Sequence, residues 1–278
     1  MSRNIYAIFL SLTIISHEVR GDVDVATVQK YRSEVETNNI SYQVSLHTSY
    51  DDEFICGGTI VDATHILTVA HRLFYNWGGV LPPIIISVKG GRNNLIGNAS
   101  FTFGAKNVTF HPSFNKGTLD YDLAVIEIDG QFPFNVWNRT SITGKFIDDI
   151  TSYEVCYITG WNEETYDLVE LPVVIMECSY IYSNDMENFC VQKKVENVNL
   201  CVISTGSSLM CGNNLIGVLT KQANCNETNQ MAVFQSTKYA KNLISSSASV
   251  HFKITKSYTL WSILSTLLSI FFSLLFQW

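Results

Sequence analysis

The sequence predicts an all-β fold, either a sandwich or a pair of barrels. Two observations predict it. The chain carries a succession of short segments rich in β-branched and aromatic residues, separated by Gly, Asn, Asp and Pro. Its composition, 46% hydrophobic and only 15% charged, excludes disorder. The predicted strands are Tyr42–Leu46, Thr59–Val61, Ile66–Val69, Ile84–Val88, Val108–Phe110, Leu123–Ile128, Tyr153–Ile158, Leu215–Leu219 and Ala232–Phe234. A helix over Lys238–Ile244, with Tyr239, Leu243 and Ile244 on one stripe, closes the domain. No repeat of solenoid period and no low-complexity linker divides the chain.

Both ends read as targeting segments. Arg3 followed by the apolar Ile5–Ile15 has the pattern of a signal peptide, too short to span a bilayer, with cleavage expected near Ser16. The other end, Thr259–Trp278, is apolar to its last residue. Small residues at Ser245–Ser249 and a polar spacer at Val250–Tyr258 precede it. Small site, spacer and tail together form a GPI-anchor signal. A single transmembrane helix is the competing reading, because ~20 apolar residues suffice to span. The expected organisation is therefore 1–16 signal peptide, 25–245 globular domain and 246–278 anchor signal or transmembrane tail. This places the protein in the secretory pathway, secreted or on the extracellular face of the plasma membrane.

Seven cysteines behind a signal peptide point to disulfides. Five N-x-[ST] sequons, at Asn39, Asn98, Asn107, Asn138 and Asn226, point to a glycosylated surface. A net charge of −7 without a Lys/Arg run argues against nucleic acid. The six histidines lack metal-ligand spacing, so no metal and no other cofactor is expected.

A succession of short motifs then narrows the reading. Tyr42-Gln-Val-Ser-Leu, Cys56-Gly-Gly-Thr-Ile and Leu67-Thr-Val-Ala-His71 come first; His111-Pro-Ser-Phe and Asp120-Tyr-Asp122-Leu-Ala-Val-Ile follow; Cys156 and Gly160-Trp161 come later. In this order they resemble the trypsin-like (chymotrypsin family, S1) serine proteases from about Ser41 to Ile244. The resemblance implies two six-stranded antiparallel Greek-key barrels with a C-terminal helix. It also implies His71 as general base and Asp122 as the carboxylate that orients it. The disulfides it implies are Cys156–Cys211, Cys178–Cys190 and Cys201–Cys225. Cys56 is left over, because Arg72 stands where the family places its partner, and the family's calcium loop is not recognisable.

The nucleophile segment departs from the family. Where the family has Cys-x-Gly-Asp-Ser-Gly-Gly-Pro-x-x-Cys, this chain reads Cys201-Val-Ile-Ser-Thr205-Gly-Ser-Ser-Leu-Met-Cys211. Thr205 keeps a hydroxyl but adds a methyl that stiffens χ1. Ile203 replaces the glycine that presents an oxyanion-hole N–H, and loss of one such donor costs about 100- to 1000-fold. Ser204 replaces the aspartate that receives the new N-terminus on activation, and Gln29-Lys-Tyr-Arg stands near where the family's activation motif would fall. In the substrate pocket Asn199, Thr220, Gln222 and Ala232 replace family residues, with Gln222 standing where glycine admits a side chain. The reading favoured is a protease homologue at the cell surface, inactive as an endopeptidase, that binds a protein or peptide ligand. The alternatives are an active hydrolase using Thr205 with His71 and Asp122, and a structural surface glycoprotein.

Overall fold

The computed structural model describes residues 42–133, 156–176, 178, 188–194, 199–212, 214–226, 230–240 and 242–245. The signal segment, the C-terminal tail, and Asn39 and Asn138 lie outside these residues. The described chain belongs to one compact unit, Val35–Trp278.

Among the described residues, twelve strands form two closed antiparallel barrels. The first contains β1 (Gln43–Thr48), β2 (Phe54–Ile60), β3 (His65–Thr68), β4 (Ile86–Gly90), β5 (Phe101–Phe110) and β6 (Ala124–Ile128), in the order β1-β2-β3-β6-β5-β4. The second contains β7 (Cys156–Trp161), β8 (Leu168–Met176), β9 (Asn188–Lys193), β10 (Ser208–Cys211), β11 (Asn214–Lys221) and β12 (Met231–Ser236), in the order β10-β11-β12-β9-β8-β7. This is the trypsin-like architecture the resemblance implied. At the C-terminal end a 3-10 turn, Thr237–Tyr239, is followed by helical backbone at Ala240 and at residues 242–245. Ser236 caps it by accepting from the Lys238 N–H, and Leu243 is buried.

Alternation dictates the interior of each barrel. Val44, Leu46, Ile66, Ile86, Val88 and Ile126 fill the first, each fully buried. Ile158, Val191, Leu209, Leu219 and Phe234 fill the second. The first core continues into Met210, Leu215, Val218 and Leu243 of the second half, so the barrels share apolar contact. Polar ties reinforce it. The buried Trp161 indole donates to the Val44 carbonyl at 3.1 Å. Tyr42 Oη shares a hydrogen bond of 2.9 Å with Thr159 Oγ1, and burial pushes that phenol up to about 12.

The three implied disulfides are present, Cys156–Cys211, Cys178–Cys190 and Cys201–Cys225. Cys56 is a free, buried thiol, 3.4 Å from Thr68 Oγ1, and burial pushes its pKa up to about 12. Arg72 supplies what the absent partner cysteine cannot: its Nε donates to the Ile55 carbonyl at 2.9 Å. A hydrogen bond thus ties the segment after His71 to the start of β2. Of the described sequons, Asn98 and Asn226 are exposed and Asn107 is half-buried.

Candidate active site

His71 follows β3 at the edge of the first barrel, and Asp122 precedes β6 beside it. Antiparallel pairing of β3 with β6 (Thr68 opposite Ala124) brings the two together from 51 positions apart. Asp122 is fully buried and acts only as an acceptor. One oxygen takes the His71 backbone N–H at 2.8 Å, and the other takes the imidazole Nδ1–H at 2.6 Å. Thr220, at the end of β11, donates its hydroxyl to that second oxygen. The arrangement fixes the tautomer with the proton on Nδ1, leaving Nε2 as the ring's acceptor. The backbone before Asp122 is held in a costly conformation. Tyr121 has φ of +51°, and its ring stacks on His111 with centroids 4.8 Å apart. A non-glycine residue there costs about 1–2 kcal/mol.

The loop carrying Thr205 is built from the second barrel and pinned to the first. The Gly57 N–H donates to the Thr205 carbonyl and the Gly206 N–H to the Leu219 carbonyl, both at 2.9 Å. Gly206 has φ of +83°, and a Cβ there would overlap the Gly57 carbonyl. Only glycine fits on both counts. Thr205 is partly exposed, and among the described residues no hydrogen bond joins its hydroxyl to His71.

Ser204, in place of the family's aspartate, is fully buried and bound within the loop. Its N–H donates to the Trp161 carbonyl at 2.9 Å, and its own carbonyl accepts from Ser207 Oγ at 2.7 Å. The two hydroxyl oxygens are 3.4 Å apart. Ser207 in turn requires Gly160, where any Cβ would collide with its hydroxyl. The interior position is thus filled by neutral groups that satisfy one another and leave no charge awaiting a partner.

Ile203 lies in extended backbone paired with Asn162, its side chain in the second core. Its φ is not positive, so a β-branched residue sits there without left-handed strain. Its carbonyl accepts a hydrogen bond of 2.7 Å from Gln222 Nε2, which also donates to Glu163 Oε1 at 3.2 Å. Gln222 follows β11, whereas Ile203 stands in the nucleophile segment before β10. The carboxamide therefore ties the nucleophile segment to the end of β11 and to the turn after β7. No local pattern marks Glu163 as its second partner, since only the fold brings that turn beside Gln222.

Of the other residues the resemblance assigned to the substrate pocket, Ala232 and Asn199 make their contacts elsewhere, whereas Thr220 reaches Asp122. Ala232 is fully buried on β12 opposite Val191, inside the second core. Asn199 is exposed and turns back on its own loop, accepting from the Cys201 N–H at 3.3 Å. Thr220 stands as a donor to the Asp122 carboxylate, a role its placement in the pocket wall did not disclose.

A buried carboxylate, an imidazole oriented by it and a hydroxyl-bearing loop from a second barrel define the scaffold of the serine endopeptidases. The family comparison agrees. The chain matches the trypsin family model over residues 31–244 and belongs to that family. It is 24% identical over 231 residues to Trypsin-3 of Salmo salar, covering 78% of this chain and 91% of that protein. Serine protease 1 of Homo sapiens is 24% identical over 232 residues, covering 77% of this chain and 88% of that protein. Transmembrane protease serine 9 of Rattus norvegicus is 23% identical over 221 residues, covering 73% of this chain but 20% of that protein.

Proposed function

We propose that this trypsin-family protein works without peptide hydrolysis, by binding a protein or peptide ligand on the extracellular side of the membrane. One observation carries the reading: at the position where the family has a pocket glycine, the Gln222 carboxamide is bound to the Ile203 carbonyl and to Glu163. A substrate side chain entering there has to break both Gln222 bonds before it gains any of its own. The substitutions at 203, 204 and 205 act in the same direction. Groups of a catalytic unit are strongly non-additive, so a retained His71–Asp122 pair without its usual nucleophile loop retains little of the rate.

The retained hydrogen bonds of His71, Asp122 and Thr220 favour a second reading, in which Thr205 attacks with His71 as base. Labelling separates the two. Purified, fully oxidised protein is treated with a fluorophosphonate. The proposal expects no adduct at Thr205; an adduct lost in Thr205→Ala supports hydrolase chemistry instead. Membrane attachment through a lipid anchor is part of the proposal and predicts release from the cell surface by phosphatidylinositol-specific phospholipase C. Retention after treatment would assign the tail to a transmembrane helix.

A further inference from the structure

A buried polar cluster lies in the first barrel, distinct from the His71–Asp122 pair. Arg92, just after β4, is only 8% exposed, and its guanidinium serves four acceptors. Nη2 donates to Ser45 Oγ at 2.7 Å and to His47 Nε2 at 2.6 Å. Nη1 donates to the carbonyls of Leu95 at 2.8 Å and Gly97 at 3.2 Å. The group also lies over the Trp161 ring, 5.9 Å from its centroid.

A guanidinium has donors only and keeps its charge at any working pH. His47 Nε2 must therefore present a lone pair. The ring proton is left on Nδ1, which faces the Asp52 carbonyl at 2.9 Å. One protonation state of His47 fits this geometry. A second proton would set N–H against N–H across 2.6 Å, between two cations.

The segment that Arg92 gathers does not end in the first barrel. The Leu95 N–H donates to the Tyr166 carbonyl at 2.8 Å, and the Leu168 N–H to the Asn93 carbonyl at 2.7 Å. Asn94 Nδ2 donates to Asp167 Oδ1 at 2.8 Å. Residues 92–97 are thus docked on the 162–167 turn, the turn that carries Glu163 to the cleft.

We propose that Ser45, His47 and Arg92 form a proton-operated clasp. With His47 neutral it holds residues 92–97 and the 162–167 turn in place; with His47 protonated it releases them. The groups facing His47 set the sign. Burial lowers its pKa, and the Arg92 and Lys89 cations act in the same direction. The Asp52 carbonyl opposes them, as does its carboxylate, with Oδ1 3.4 Å from Nδ1. That carboxylate is largely exposed and already paired with Lys89 at 2.5 Å, which holds it below the usual carboxylate range. Phe54 and Ser45 complete the surroundings and carry no charge. Because the folded pKa lies below the ordinary value of 6.5, the clasp is fully present above about 6.5. It is lost as pH falls through the lower folded value. The proposal does not depend on whether the cleft hydrolyses peptides.

Amide hydrogen exchange on the purified protein, corrected for intrinsic rates, tests it at about pH 7.5 and about pH 5. The Leu95 and Leu168 amides are expected to lose protection at least about tenfold at the lower pH. The Ile66 and Leu219 amides, inside the barrels, are expected to hold theirs. In His47→Gln the carboxamide oxygen still accepts from Arg92 but cannot titrate, so protection at Leu95 and Leu168 should not change with pH. Arg92→Met should leave both amides open at either pH. Equal wild-type protection at the two pH values would overturn the clasp. So would an equal loss in His47→Gln, or a loss shared with the core amides.

Discussion

At His71 three donors meet one buried carboxylate, and the third comes from the other barrel. Thr220 keeps the second oxygen of Asp122 saturated, so the imidazole has one orientation and one tautomer. Replacing Thr220 by Val preserves shape and removes that donor. We expect a loss of about 1–3 kcal/mol in denaturant unfolding, the usual consequence of leaving a buried polar group short of a partner. Unchanged stability would show that Asp122 does not need the hydroxyl. His71 and Asp122 were legible in the sequence because each sits in a distinctive local string. The partnership of Gln222 with Ile203 and Glu163 was not. It joins three distant segments and leaves no local pattern, although the replacement of glycine at 222 marked the position.

At the scale of elements, the nucleophile loop folds around Gly206 and its approach to Gly57. Gly206→Ala would place a methyl on the Gly57 carbonyl in a backbone region that L-residues avoid. We expect it to destabilise the protein by more than the ~1 kcal/mol of an ordinary Gly–Ala exchange and to lower the yield of folded protein. Wild-type thermal stability in this variant would mean that the loop re-routes. The same scale shows where strands could and could not be read. Segments such as Leu123–Ile128 and Leu215–Leu219 keep enough Val, Ile and Leu around Glu127 and Gly217 to read as strands, and correspond to β6 and β11. For β5 only Val108–Phe110 was legible, since Gly104, Lys106 and Asn107 break the pattern, and the pairing with β6 shifts register there. β8 was missed because Pro172 and Glu170 interrupt it; the proline is accommodated opposite Tyr157. β9 was missed as well. β10 escaped because its four residues sit inside the nucleophile segment and are buried whatever their polarity.

Across the whole molecule, the two barrels are joined by shared apolar contact and by Trp161, Tyr42 and the Gly57–Thr205 bond, the last of them beside the cleft. The two-barrel scaffold and the His71–Asp122 pair are kept, while the loop around Thr205 departs from the family at 203, 204 and 205. Ser204 and Ser207 fill a buried position with neutral groups, and Gln222 binds the Ile203 carbonyl and Glu163. The most direct measurement is cleavage of a diverse peptide library by the purified, fully oxidised protein, with Thr205→Ala as the reference. The expected result is identical product profiles for the two. Cleavage by the wild type that disappears in Thr205→Ala would contradict it.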